Sequence, residues 1–129
     1  MKHPNTLILE KLYSDFSQGN LQGVLDACSD SITFQVPGKS QLAGKYTKNN
    51  FIQDFALKLK ELSEGTFQLE VHDILASDLH AAVLATNRLK RGGKTVELRT
   101  VHIWRFEGTK PLAWYEYPRD LYQFDAIWA

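Results

Sequence analysis

A chain of 129 residues with 43% hydrophobic and 23% charged side chains can bury a substantial core and is too apolar for a disordered tail. Lys and Arg number 15 and so do Asp and Glu, so a net charge of zero leaves no electrostatic footprint for nucleic acid or an anionic membrane. The N-terminal Met1-Lys2-His3-Pro4-Asn5 lacks a signal-peptide core, no run is apolar enough to span a bilayer, and the one cysteine cannot form an internal disulfide, so a cytoplasmic chain is expected.

Leu9, Leu12, Tyr13 and Phe16 recur at the spacing of one helical face, and Gly19 ends that helix. Asn20 is placed to cap a second, short helix with Leu21, Val24, Leu25 and Cys28 on its apolar side. There Cys28 is expected to act as a small buried hydrophobe. Ile32, Phe34 and Val36 alternate with polar residues as a strand, closed by Pro37-Gly38. Thr47 reads as the cap of a third helix, with Phe51, Phe55, Leu59 and Leu62 inward and Gly65 just beyond it.

After Gly65 the hydrophobic period changes to two. Phe67, Leu69 and Val71 alternate with Gln68, Glu70 and His72 as far as a turn near Ser77-Asp78. A run from His80 to Lys90, a Gly92-Gly93 hairpin and strands over Lys94–Phe106 and Leu112–Tyr117 follow, ended by Pro118 and an aromatic tail of Tyr122, Phe124 and Trp128. Helices first and long antiparallel strands afterwards define an α+β fold, a cone-shaped curved sheet wrapped around the N-terminal helices. No linker or repeat divides residues 1–129, which read as a single domain with a cavity at the open end of the sheet.

The last hairpin carries its own register, because opposed residues share a face. Pairing Phe106 with Leu112 across a Glu107–Pro111 connection sets Trp104 opposite Trp114 and His102 opposite Glu116. One face then holds a single ionisable pair among aromatic and aliphatic side chains, the make-up of a ligand pocket. Opposed Cβ atoms lie about 5 Å apart, within reach of a direct or water-bridged contact. His102 and Glu116 are therefore the candidate proton-transfer pair, and a hydrogen bond that only satisfies two core polar groups is the competing explanation. Tyr13, Phe16, Phe34, Val36, Phe55, Trp104 and Trp114 are the candidate ligand-binding residues, with plain core packing as the alternative.

The other face of the hairpin pairs Arg105 with Ala113, Ile103 with Tyr115 and Val101 with Tyr117. Val101, Ile103, Tyr115 and Tyr117 are too apolar to stay bare, and a sheet-to-sheet homodimer would cover them. A metal site made from His72, Glu70 and His102 is weighed and set aside, because three or four converging ligands at metal spacing are missing. No metal and no cofactor are expected.

Phe16-Ser17-Gln18-Gly19-Asn20-Leu21, Phe34-Gln35-Val36-Pro37-Gly38, Leu42-Ala43-Gly44, and Val101-His102-Ile103-Trp104-Arg105-Phe106 leading to Trp114-Tyr115-Glu116-Tyr117 resemble, in order and spacing, the SnoaL-like polyketide cyclases and their ketosteroid isomerase relatives. The resemblance implies the nuclear-transport-factor-2-like (cystatin-like) fold, with a deep pocket and frequent dimerisation. At the positions of the isomerase base, tyrosine donor and protonated aspartic acid stand Val36, Leu12 and His102, which argues against steroid isomerisation. The cyclases' histidine and last-strand acid match His102 and Glu116, with glutamate replacing the usual aspartate.

Three functions remain open on this basis. The first is a cofactor-free isomerase, cyclase or hydrolase acting on a small apolar carbonyl compound, in which Glu116 moves a proton and His102 donates to the oxyanion. The second is a non-catalytic module that binds or carries a small apolar molecule. The third is an association domain that works through its outer sheet face.

Overall fold

Both periodicities of the sequence are realised in the computed structural model, which describes residues 1–129. Helix α1 (Pro4–Ser17) begins on a proline, whose missing N–H is harmless in a first turn, and it buries Leu9, Leu12 and Tyr13. Helix α2 (Leu21–Ala27) is capped by Asn20, whose side chain accepts from Gly23 N at 3.1 Å. Cys28 lies just past its end, buried, with Sγ donating to Val24 O at 3.3 Å.

Strands β1 (Thr33–Val36) and β2 (Gly44–Thr47) form an antiparallel pair. Thr47 therefore ends a strand and does not cap the third helix. Asn50 turns the chain instead, its Oδ1 accepting from Thr47 N at 2.7 Å. The helix starts as a π-helical turn, Phe51–Ala56, and continues as α3 (Leu57–Leu62). Four long strands follow, β3 (Gln68–Ala76), β4 (His80–Arg91), β5 (Lys94–Glu107) and β6 (Lys110–Pro118), and the aromatic tail folds as α4 (Leu121–Trp128). At the β4–β5 hairpin Gly92 (φ 60°) and Gly93 (φ 77°) supply the left-handed backbone that a tight turn requires.

The six strands form one sheet in the order β2-β1-β6-β5-β4-β3, antiparallel except for the parallel β1–β6 pair. Two bulges bend it, one at Val71/Asp73 with His72 as the extra residue, the other at Arg105/Phe106. The second corrects the expected register locally. Phe106 faces Pro111 and not Leu112, because the turn is tight: Glu107 pairs with Lys110 and only Gly108 and Thr109 lie between them. Beyond the bulge the expected pairs stand, Arg105 with Ala113, Trp104 with Trp114, Ile103 with Tyr115, His102 with Glu116, and Val101 with Tyr117.

Strand alternation turns Ala81, Val83, Ala85, Asn87 and Leu89 of β4 inward, opposite Trp104, His102, Thr100, Leu98 and Val96 of β5. With the helices they enclose a core of 25 buried hydrophobic residues. Helix α4 covers one end of this core through Phe124 and Trp128, both almost completely buried. It is seated by Gly38 (φ +94°), where a Cβ would meet Asp125 Oδ1 at 2.1 Å, and by Lys39 N, which donates to that oxygen at 3.0 Å. Arg91 Nη1 adds a hydrogen bond to Ile127 O at 2.6 Å. No helix of the chain is long and apolar enough to cross a membrane.

Candidate functional site

The β5–β6 register brings His102 and Glu116 together on the concave face, and α1 delivers Tyr13 to the same point. Tyr13 Oη lies 2.6 Å from His102 Nδ1, and His102 Nε2 lies 3.1 Å from Glu116 Oε2. Thr100 Oγ1, two residues earlier on β5, also donates to Oε2. Trp104 Nε1 donates to Tyr13 Oη at 3.0 Å. His102 is only 4% exposed and Glu116 8%, so these bonds replace water almost completely.

One proton arrangement satisfies every partner. Burial pushes the Tyr13 phenol far above its ordinary value; the Trp104 indole N–H opposes this, and the charge of Glu116 reinforces it. Tyr13 thus stays protonated and donates to His102 Nδ1. Nε2 then carries the imidazole proton and donates to Glu116. With Thr100 donating to the same oxygen, Oε2 is held by two donors. The other oxygen, Oε1, has no protein partner and is not among the sealed polar atoms.

Glu116 lines a cavity bounded by 18 residues, 15 of them hydrophobic. Aromatic side chains crowd it: the room open to the centre of a water molecule is about 60 Å³, enough for a few waters. A larger guest therefore requires the side chains to move. The rings of Phe34 and Phe51 pack tilted with centroids 4.2 Å apart, those of Phe51 and Phe55 likewise at 5.5 Å, and the His102 ring meets Trp114 edge-on at 4.9 Å.

Of the residues expected to bind a ligand, Tyr13, Phe16, Phe34, Phe55, Trp104 and Trp114 line this cavity together with His102 and Glu116. Val36 does not. It is buried in the core opposite Gly44, one step beyond the last residue of β1 that pairs with β6. Tyr13 takes a more central place than the sequence conveyed. Its phenol stands on the inward side of α1, against His102 and Trp104. Thr100 and Asn87 were missed as well, although their inward positions follow from the strand alternation that placed His102. Phe124 and Trp128 were missed too, although Leu121, Phe124 and Trp128 recur at the spacing of one helical face behind the cap Asp120.

His72, Glu70 and His102 do not converge. His72 Nε2 contacts Thr86 Oγ1 at 2.8 Å and lies 3.9 Å from Glu70 Oε1, while His102 is on the concave side. No cluster of three or more His, Cys, Asp or Glu side chains is arranged for a metal. On the convex side Val101, Ile103 and Tyr115 are half-buried and Tyr117 is exposed. Leu84 and Leu75, both exposed, extend this apolar surface onto β4 and β3.

Comparison with known proteins agrees with this architecture. A family model described as the SnoaL-like domain matches residues 9–112, and the chain belongs to that family. Bal32a, from a soil-derived mobile gene cassette, is 21% identical and superposes with a TM-score of 0.89 over 98% of this chain and 97% of its own. A nuclear-transport-factor-2-like protein of unknown function from Burkholderia pseudomallei is 20% identical, with a TM-score of 0.83 over 99% of each chain. TerC, co-crystallised with polyporic acid, is 20% identical, with a TM-score of 0.85 over 97% of this chain and 98% of its own. At these identities the likeness establishes the nuclear-transport-factor-2-like fold alone. No curated protein matches the sequence.

Proposed function

We propose that residues 1–129 form one SnoaL-like domain whose cavity carries out cofactor-free acid/base chemistry on a small apolar compound bearing a carbonyl. The observation that carries this reading is the asymmetry of Glu116, which lines an apolar cavity: Oε2 is locked by His102 and Thr100, while Oε1 has no protein partner. In this reading Oε1 takes a proton from carbon next to the carbonyl and the electron pair moves onto the carbonyl oxygen as an enolate. Return of the proton from Glu116 to another carbon isomerises the substrate; alternatively the enolate carbon attacks a second carbonyl, whose π electrons move onto its oxygen, and that alkoxide takes the proton back from Glu116 as the ring closes. Both His102 nitrogens are engaged, so His102 is a positioning residue here and not the direct oxyanion donor anticipated from sequence. Burying a carboxylate costs several kcal/mol, incompletely offset by hydrogen bonds, so Glu116 is poorly explained as a stabilising feature.

Solvent-deuterium exchange into 2-tetralone, an apolar ketone with acidic C–H bonds, tests the proposal. Exchange should exceed the buffer rate in the wild type and fall at least a hundredfold in Glu116→Gln, whose amide can still accept from Thr100 and His102. A Glu116→Gln melting temperature equal to or above wild type is expected as well. Exchange undiminished in that variant sinks the catalytic reading.

The predominance of hydrophobic residues around the cavity favours a second reading, a binding or carrier module for an apolar ligand. TerC, which shares the fold, was co-crystallised with polyporic acid, and this supports a small-molecule ligand for the present chain. A carrier should lose affinity with Trp104→Ala far more than with Glu116→Gln. In either case we place the chain in the cytoplasm as a homodimer joined through Val101, Ile103, Tyr115 and Tyr117.

A further inference from the structure

Asn87 occupies an inward position near the middle of β4, opposite Leu69 of β3 and Leu98 of β5, and it lines the same cavity as Glu116. It is 3% exposed, and its carboxamide oxygen is sealed from solvent with no hydrogen-bond partner. An unpaired buried carbonyl is destabilising, and an apolar residue of similar size would avoid that penalty. Only one other side-chain oxygen or nitrogen of the chain is in this state, Asn5 Oδ1, and it belongs to the first turn of α1, where its amide nitrogen bonds Ser77 O at 3.1 Å. Asn5 thus has a structural role, whereas Asn87 has no protein group to serve.

We propose that Asn87 is a ligand-recognition residue that binds a hydroxyl group at the end of the cavity remote from Glu116. A hydroxyl both donates and accepts, so it satisfies the carboxamide whichever way the amide is turned. The register sets the spacing. Asn87 is level with Leu98 and Glu116 is level with His102, four residues further along β5. At 3.3 Å per residue that is about 13 Å along the strand, plus two interstrand steps of about 4.8 Å. One compact group cannot touch both residues. The ligand class is an elongated, mostly apolar molecule with a carbonyl at one end and a hydroxyl at the other. The carbonyl end rests on the acid/base reading above, and the hydroxyl end does not.

Two ketones separate these claims, 2-tetralone and 6-hydroxy-2-tetralone, their affinities read by tryptophan fluorescence and calorimetry. The wild type should bind the hydroxylated ketone at least tenfold more tightly, and Asn87→Leu should abolish that preference, as should Asn87→Ala if leucine crowds the cavity. The melting temperature of Asn87→Leu should equal or exceed that of the wild type, which a purely structural asparagine would not allow. Equal affinity of the two ketones, failure of both to bind, or a preference that survives in both variants overturns the proposal. Discrimination without Glu116-dependent exchange keeps Asn87 and sinks the catalysis, and exchange without discrimination does the reverse.

Discussion

Replacing Tyr13 with phenylalanine removes one oxygen atom, and the structure says what that atom does. It accepts from Trp104 Nε1 at 3.0 Å and donates to His102 Nδ1 at 2.6 Å, linking α1 to the sheet. Its loss deletes two hydrogen bonds and leaves an indole N–H and an imidazole nitrogen unpaired in an apolar interior. Each buried group left without a partner costs roughly 1–3 kcal/mol, so about 3 kcal/mol in total is a moderate expectation. Unfolding entropy of roughly 2.1 cal/mol/K per residue gives about 270 cal/mol/K for this chain, so the midpoint should fall by about 11 °C. Calorimetry measures the shift. Side-chain nitrogen NMR of the wild type should show His102 protonated on Nε2 and bare on Nδ1. A fall of less than about 3 °C, or an Nδ1-protonated ring in the wild type, would refute the proton arrangement on which the site is built.

Alkaline pH and the convex face provide further tests. Burial is the main influence that pushes the Cys28 thiol up to about 12, against the opposing pull of Lys48 and Lys110, so the folded chain holds this proton more tightly than the unfolded one. Stability from this group is complete below the unfolded value of about 8.5 and is lost as pH rises from there towards about 12, at most about 1.4 kcal/mol per pH unit. The urea midpoint should therefore decline above pH 9, less steeply in Cys28→Ala, and the native thiol should resist a disulfide reagent at pH 8; rapid stoichiometric reaction contradicts its burial. For the dimer, light scattering should give twice the 14.7 kDa chain mass in the wild type and a single chain mass in Ile103→Asp. A wild-type monomer at tens of micromolar rules that interface out.

The concave site was legible in the sequence where a strict period of two operates. Trp104, His102, Trp114 and Glu116 could be set opposite one another because an error of one residue would have mixed the two faces of β5 and β6. The same logic failed at Phe106, where a bulge next to a two-residue turn inserts Leu112 and breaks the alternation. Strand β2 was hidden because Gly44-Lys45-Tyr46-Thr47 is short and carries a single inward apolar residue, Tyr46. The Tyr13–His102 bond joins residues 89 positions apart, and nothing in the local pattern of α1 encodes it. Asn87 was accessible in principle as the polar residue on the inward parity of β4, but a run from His80 to Lys90 read without its parity conceals it. The relation of α4 to the cavity depends on a close approach to Gly38, which sequence does not reveal.

Whether the interior cavity is the functional site can be asked of three signals. The chain has three tryptophans, Trp104, Trp114 and Trp128, and all three line the cavity. A nitrogen–proton correlation spectrum recorded while 2-tetralone is added reads their indole N–H groups directly. All three signals should shift or broaden in a saturable way, while the backbone amides of Val101, Ile103 and Tyr115 stay in place. Three stationary indole signals with movement confined to those convex-face amides would contradict it and assign the ligand response to the outer sheet.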